Sequence, residues 1–209
     1  MKLKKKSKIA LIISVILIVL ITIGIILITN KQKTKEEVET VKVINKVDKY
    51  GYQLKETKSK RYKKMFEELK EILQEETVDE EKYVSKITEM FIYDFYTLDD
   101  KAAKTDVGGV DFVYKDVLEN FLINAQDTFY KYVESNIYNN RNQQLPEVDT
   151  ITINAITKET FAYGTKNDDN AYIINVSWTY TSEDFSSYQN NAKLVFIHDE
   201  NKLCLVELK

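Results

Sequence analysis

Cysteine, histidine and proline each occur once in this chain of 209 residues, and glycine occurs five times. With Cys204 as the single cysteine, an intramolecular disulfide is excluded, so a folded domain must be held together by its core. Structural zinc sites rely on cysteine and histidine ligands, so such a site is not expected. Low proline and glycine contents also make long disordered linkers unexpected. We predict that the protein binds no cofactor and no metal.

Residues suited to catalysis are scarce as well. His198 stands beside Asp199 in a predicted turn between strands, where a polar turn residue is the ordinary interpretation. Cys204 alternates with apolar neighbours and is expected to be a small buried side chain. No serine–histidine–aspartate order, phosphate loop or nucleophile elbow is present. Because acid–base catalysis needs positioned titratable groups in a pocket, we predict that the protein is not an enzyme.

The sequence does contain one long apolar run, residues 9–29, which has 21 residues and no charge. As a helix it would extend roughly 31 Å, the thickness of a bilayer's hydrocarbon core. It is too long for the apolar core of a cleaved signal peptide, so we predict an uncleaved signal-anchor with one transmembrane helix. Five lysines lie in residues 1–8 and three in residues 31–35. This bias predicts a cytoplasmic basic tail, with the rest of the chain outside the cell membrane.

Composition limits what the remainder can bind. The net charge is −3, and five of the 30 basic residues precede the apolar run, so the part that follows is more acidic still. Nucleic-acid binding rests on a basic surface, and we therefore exclude it. Residues 30–46 are polar and predict a stalk, and residues 47–209 have the length of one extracytoplasmic domain.

Apolar periodicity predicts the elements of this domain. Residues 50–54 are expected to form an arm or a short edge strand. Spacings of three and four then predict helices at about 58–74, 78–98 and 110–138. Thr77 and Glu80 match a capping box for the second helix, and Pro146 is the expected stop after the third. Strict alternation predicts strands at about 150–163, 171–181, 192–198 and 202–208.

These elements predict an α+β fold in which three helices pack on a four-stranded antiparallel sheet. In element order and length, the domain resembles the cystatin-like and nuclear-transport-factor-2-like cone folds, in particular the single-pass ectodomains of conjugation and type IV secretion assembly factors. Four strings also resemble a group of single-pass bacterial membrane proteins of unassigned function: YGYQL from Tyr50, DFYTL from Asp94, DVGGVDFVYKD from Asp106 and YKYVE from Tyr130. This resemblance implies no activity.

Two kinds of surface are candidates for function. Tyr93 and Tyr96 cannot both point inward with Phe91 and Phe95 on one helix, so they are expected at a groove or at the surface. A curved sheet leaves a concave side that Trp178 and Tyr180 are expected to line, and the opposite polar face carries Asn175, Ser177 and Thr179.

Two functions follow from these surfaces. The first is docking to another envelope protein, and the second is binding of a small molecule or peptide in the cone. The acidic region 94–111, which includes Asp94, Asp99, Asp100 and Asp106, is interpreted as helix caps and turns. A calcium loop is the alternative, but the alternating acid pattern typical of one is missing.

Overall fold

The structure is a computed structural model, and it describes residues 42–209. The predicted cytoplasmic tail, transmembrane helix and most of the stalk fall in residues 1–41, outside the described residues. Among the described residues, no helix is both long enough and apolar enough to cross a bilayer.

The domain opens with a short antiparallel hairpin formed by β1 (Val43–Val47) and β2 (Tyr52–Lys55). The expected stalk, residues 30–46, therefore overlaps a strand at its C-terminal end. The reason is burial of β2: Tyr52 and Leu54 are each 2% exposed, and the Tyr52 hydroxyl lies 2.7 Å from that of Tyr83. β1 then pairs with this anchored strand.

Two helices follow, α1 (Lys60–Gln74) and α2 (Glu80–Tyr96), and their apolar stripes face the core as the periodicity predicted. The Ser59 hydroxyl caps α1 by accepting from the Tyr62 N–H. The capping-box prediction is wrong, because Asp79 caps α2 in place of Thr77. Its carboxylate accepts from the N–H groups of Glu81 and Lys82, each at 3.1 Å, and Glu80 is thereby the first helical residue.

The third helix, α3, runs from Lys115 to Asp127 and is much shorter than the predicted 110–138. Residues 110–112 form a separate 3-10 turn after Gly109, whose φ of +74° lies in the left-handed region. At the other end Thr128 leaves helical geometry, and the Tyr130 N–H bonds the Ala125 carbonyl at 2.9 Å. This turn buries Tyr130 completely, and Pro146 plays no part in ending the helix.

The antiparallel sheet has the order β3-β4-β5-β6, which confirms the α+β prediction of three helices and four strands. Its strands are β3 (Val148–Tyr163), β4 (Lys166–Tyr180), β5 (Asn191–Asp199) and β6 (Lys202–Leu208). β4 begins five residues before the predicted 171 because the chain reverses tightly at Gly164, which has a φ of +58°. Residues 164–170, which separate the two predicted strands and were expected to form a loop, are thus mostly strand.

The two faces of the sheet pack differently. Ile174, Val176 and Trp178 lie in the main core beneath the helices. The other face was expected to be mostly polar, but near the β3–β4 turn it carries a second apolar cluster that includes Ile173. The end of this hairpin reaches across to the start of α3, where the rings of Tyr163 and Tyr114 meet at 5.6 Å. The remaining members of this cluster are Ala171, Val195, Ile197 and Cys204, of which the last is buried as predicted.

Candidate functional site

A groove of about 460 Å³ lies between α3 and the C-terminal half of β6. Its apolar lining comes from both elements and from the end of α2, and its rim is polar. The apolar members include Phe95, Tyr96, Val113, Val117, Phe121, Ala125, Phe129, Leu205 and Leu208; the polar members are Asn120, Asn124, Thr128, Gln189, Glu207 and Lys209. A concave apolar surface with a few polar groups is typical of a binding site.

The start of α3 is held against the edge of β6 by backbone pairing. Val113 forms a parallel bridge with Leu205, and the Tyr114 N–H donates to the Leu205 carbonyl at 2.8 Å. The chain then turns into the helix at Lys115 and leaves the strand. The groove is the space that opens where helix and strand diverge.

The loop before α3 is fixed on α2 by two glycines. A Cβ at Gly108 would lie 1.9 Å from the Asp94 carbonyl oxygen, and one at Gly109 would lie 2.6 Å from the Phe91 ring. This close approach allows the Gly109 N–H to donate to the Asp94 carboxylate at 2.8 Å. The two glycines therefore set where α3 begins and how wide the groove is.

A buried charge network completes this attachment. Asp94, only 4% exposed, accepts hydrogen bonds from Lys58 at 2.7 Å and from Lys101 at 3.3 Å. Burial alone would raise the pKa of Asp94, but the charges of Lys101 and Lys58 outweigh it and lower the pKa. Lys101 is itself 4% exposed and also pairs with Asp100. The network is satisfied internally and leaves Asp94 ionised.

Stacked aromatic rings form the floor of the groove. The Phe95 ring lies 5.2 Å from that of Phe121 and 5.9 Å from that of Phe129. Tyr96 meets Phe129 edge-on at 5.0 Å and Trp178 at 4.2 Å on its other side. Such contacts stabilise beyond area burial alone, so the floor is a fixed surface.

The rim carries three primary amides, at Asn120 and Asn124 on α3 and at Gln189 across the groove. Each amide group has both donors and an acceptor, the combination that a peptide group requires of its partner, although Gln189 already donates to the Asn191 carbonyl at 3.0 Å. The charged rim residues Glu207 and Lys209 pair with each other at 2.8 Å. The rim is therefore polar but carries no net charge from this pair.

One buried polar atom beneath this floor has no partner. Within residues 42–209, the indole nitrogen Nε1 of Trp178 is the single buried side-chain nitrogen or oxygen without a hydrogen bond, and Trp178 is 3% exposed. Buried polar groups are nearly always bonded, so an unpaired donor in this layer is unusual.

The structure separates the sequence-predicted site residues into three places. Tyr96 was also expected at a groove or at the surface, but it is 1% exposed; it lies beneath the groove with Trp178 packed behind it, so these two do lie together. Tyr93 was expected at a groove or at the surface but is 3% exposed, with the Arg61 guanidinium 4.7 Å above its ring. Asn175, Ser177 and Thr179 alternate with the core residues of β4 and lie on the opposite face, and Tyr180 is half-buried with its hydroxyl donating to the Gln189 carbonyl.

Three acidic side chains of the region 94–111 have partners within the fold. Asp94 and Asp100 pair with lysines, and Asp106 accepts from the Ala102 N–H as a turn cap. The described part of the chain has no group of three or more histidine, cysteine or acidic residues able to hold a metal ion. The interpretation as caps and turns therefore fits Asp106, whereas the ion pairs were not foreseen.

Sequence reasoning also missed the surroundings of His198. Its ring Nδ1 lies 2.8 Å from the Asp168 carboxylate, and its Nε2 lies 3.5 Å from that of Glu80. Burial acts to raise the pKa of Asp168. The hydrogen bonds that its carboxylate accepts from the backbone N–H groups of His198 and Asn170 outweigh this effect and lower the pKa. Tyr172 donates to Glu80 at 2.8 Å. No local sequence signal connects these positions, which come from β4, β5 and α2.

The groove residues of α3 were only partly visible in the sequence. Val117, Phe121 and Ala125 belong to the predicted apolar stripe, but Asn120 and Asn124 were not singled out. A scan against protein-family models found no match, and neither did searches of curated proteins and of solved structures.

Proposed function

We propose that this protein is a membrane-anchored interaction domain outside the cell membrane, and that it binds an extended peptide segment of another envelope protein in the groove between α3 and β6. The observation that carries the proposal is this groove, apolar at its floor and lined with amides at its rim. Membrane anchoring rests on the uncharged run at residues 9–29 and its flanking lysines.

An extended peptide is favoured because the bordering edge of β6 already accepts backbone pairing. The Leu205 carbonyl takes a hydrogen bond from Tyr114, part of this chain's own short parallel segment. Lys209 directs both its N–H and its carbonyl toward Lys193 of β5. By strand alternation, the backbone groups of Leu208 point to the opposite edge, where a peptide strand can add.

The amide rim supports the same occupant. Asn120 and Asn124 are four residues apart on one exposed side of α3, and both can bond the far side of a peptide backbone. Apolar side chains of that peptide would rest on the Phe121 and Phe129 rings. The proposed function is contact, since the lining contains no histidine, cysteine or serine.

A small apolar ligand is the second candidate. A volume of about 460 Å³ falls within the range of small-molecule pockets, roughly 300–1,000 Å³. It would fill the groove without using the β6 edge. The two candidates therefore differ in whether backbone pairing with Leu208 is needed.

Site-specific photocrosslinking in intact cells tests the proposal. A photoreactive residue at Asn120 should give an adduct whose mapped partner peptides come from one extended segment, while the same probe at Glu119, exposed on α3 but outside the lining, should not. Asn124→Trp should fill the groove and abolish the adduct, whereas the control Ile123→Trp should preserve it. Equal adducts from both probes would contradict the groove as the site, and an adduct of only a few hundred daltons would favour the small ligand.

A further inference from the structure

The other edge of the sheet has a different character. β3 is the outer strand, pairs only with β4 among the described residues, and is 16 residues long. Its segment Thr150–Thr157 has the sequence TITINAIT, with no charge, no proline and no glycine. An unpaired strand edge presents a row of free N–H and carbonyl groups that can pair with another strand.

Natural proteins usually protect such an edge with charges, proline, β-bulges or a covering element, and of these the segment itself contains one irregularity, between Ile153 and Ala155. Here the charged residues Asp149 and Lys158 flank the segment but none lies within it, and the side chains at Thr150, Thr152, Ala155 and Thr157 are all exposed. Ile151, Ile153 and Ile156 are only partly buried at the rim of the main core. Further burial of these three isoleucines would stabilise a contact at this edge.

We propose that a second copy of this chain pairs antiparallel with the Thr150–Thr157 edge, giving one continuous eight-stranded sheet. A two-fold axis between Ile153 and Asn154 places Ile151 opposite Ile156, Thr152 opposite Ala155, and Thr150 opposite Thr157. β3 has an irregularity between Ile153 and Ala155, which shifts its alternation. Ile151 and Ile156 therefore share the helix side of the sheet, as facing residues in antiparallel strands must.

A second copy fits better than another partner because the pairing is self-complementary. Ile151 meets Ile156 and Thr150 meets Thr157, while Ile153 and Asn154 face each other at the irregularity. No charged side chains face each other within the segment. Both signs of charge lie beside Ile156: Asp79 at the N-cap of α2, and Glu81, Lys82, Lys86 and Glu89 on the helix. Within the chain, Lys82 already pairs with Asp79 and Lys86 with Glu89. A two-fold copy brings the same mixed set, so this region adds no large charge of one sign that would oppose the pairing.

Two matched double variants of the full chain in detergent solution test this pairing. Thr152→Lys with Ala155→Lys places lysine opposite lysine twice, and Thr152→Lys with Ala155→Asp places lysine opposite aspartate twice. Light scattering corrected for detergent should give the dimer mass for the wild-type chain. The lysine–lysine variant should raise the dimer dissociation constant roughly tenfold or more, and the lysine–aspartate variant should preserve the dimer.

Both positions are exposed, and both variants should retain the wild-type circular dichroism spectrum, which separates loss of pairing from loss of fold. Asn175→Lys, in the same row of the sheet on the central strand β4, is the control and should leave the dimer mass unchanged. A monomeric wild-type chain would overturn the proposal. So would a lysine–lysine variant that stays dimeric, or a lysine–aspartate variant that dissociates equally.

Discussion

Replacing Asp94 by asparagine should destabilise the domain strongly. The Asp94 carboxylate neutralises Lys58 and Lys101. In the asparagine variant, Lys101, which is 4% exposed, would keep only Asp100 as an ion-pair partner. Removing one member of a buried ion pair costs about 3–5 kcal/mol, because the remaining charge stays desolvated. For a domain of this size, that corresponds to a melting temperature lower by about 6–20 °C.

The measurement is urea unfolding of residues 42–209, followed by tryptophan fluorescence, with Asp48→Asn as the matched control. Asp48 pairs with Lys46 at 2.9 Å, but the two side chains are 75% and 61% exposed. Exposed pairs contribute about 0–1 kcal/mol, so the control should change the unfolding free energy little. If Asp94→Asn also costs less than about 1 kcal/mol, the network does not hold the 97–114 loop on α2, and the reasoning is wrong.

The pH dependence gives a second readout of the same network. The pKa of Asp94 is lowered in the folded state. Its contribution to folding stability is therefore fully present above the usual carboxyl pKa of about 4, and it is lost as the pH falls through the lower pKa of the folded state. The difference in unfolding free energy between the wild-type domain and the Asp94→Asn variant should therefore become smaller below about pH 4. Burial raises the pKa of Asp100, so this group changes the stability of the domain with pH in the opposite direction to Asp94. The pH dependence must therefore be compared between the two proteins and not taken from the wild type alone.

Two other predictions concern the core and the topology. Trp178→Ala should lower the unfolding free energy by about 3–5 kcal/mol, because the ring is buried against Tyr96. Since the variant lacks the single tryptophan, its urea unfolding is followed by circular dichroism, and a loss below about 1 kcal/mol would contradict the role of Trp178 in the core. A reporter that is active only outside the cytoplasm should be active when fused after Lys209, whereas activity only of a cytoplasmic reporter there would contradict the lysine-based orientation.

Local periodicity was sufficient for much of the fold. In α1 and α2, apolar residues three and four apart must share one side of a helix, and one side of each helix had to be buried. In β4, alternation placed Tyr172, Ile174 and Val176 inside and Asn175 outside, because neighbouring side chains of a strand point to opposite faces. These assignments depend on neighbours in the chain, which the sequence contains in full.

The end of α3 could not be determined locally. The apolar stripe continues past Asp127 through Phe129 and Val133, and periodicity alone extends the helix to 138. The structure ends it because the Tyr130 hydroxyl donates to the Phe95 carbonyl at 2.6 Å and accepts from the Gly108 N–H at 3.0 Å. Both partners are more than twenty residues distant, so a local pattern could not indicate them.

The candidate site was likewise determined partly by the sequence and partly by the tertiary structure. The sequence by itself determined which residues of α3 and β6 are apolar, and hence that both elements pack on a core. Only the tertiary structure decided that the Tyr114 N–H bonds the edge of β6 and that α3 then diverges from it, which opens the groove beside Asn120 and Asn124. The pairing of Asp94 with Lys58 and Lys101 is likewise a tertiary outcome, because a charge finds its partner through space and its position along the chain does not reveal which one.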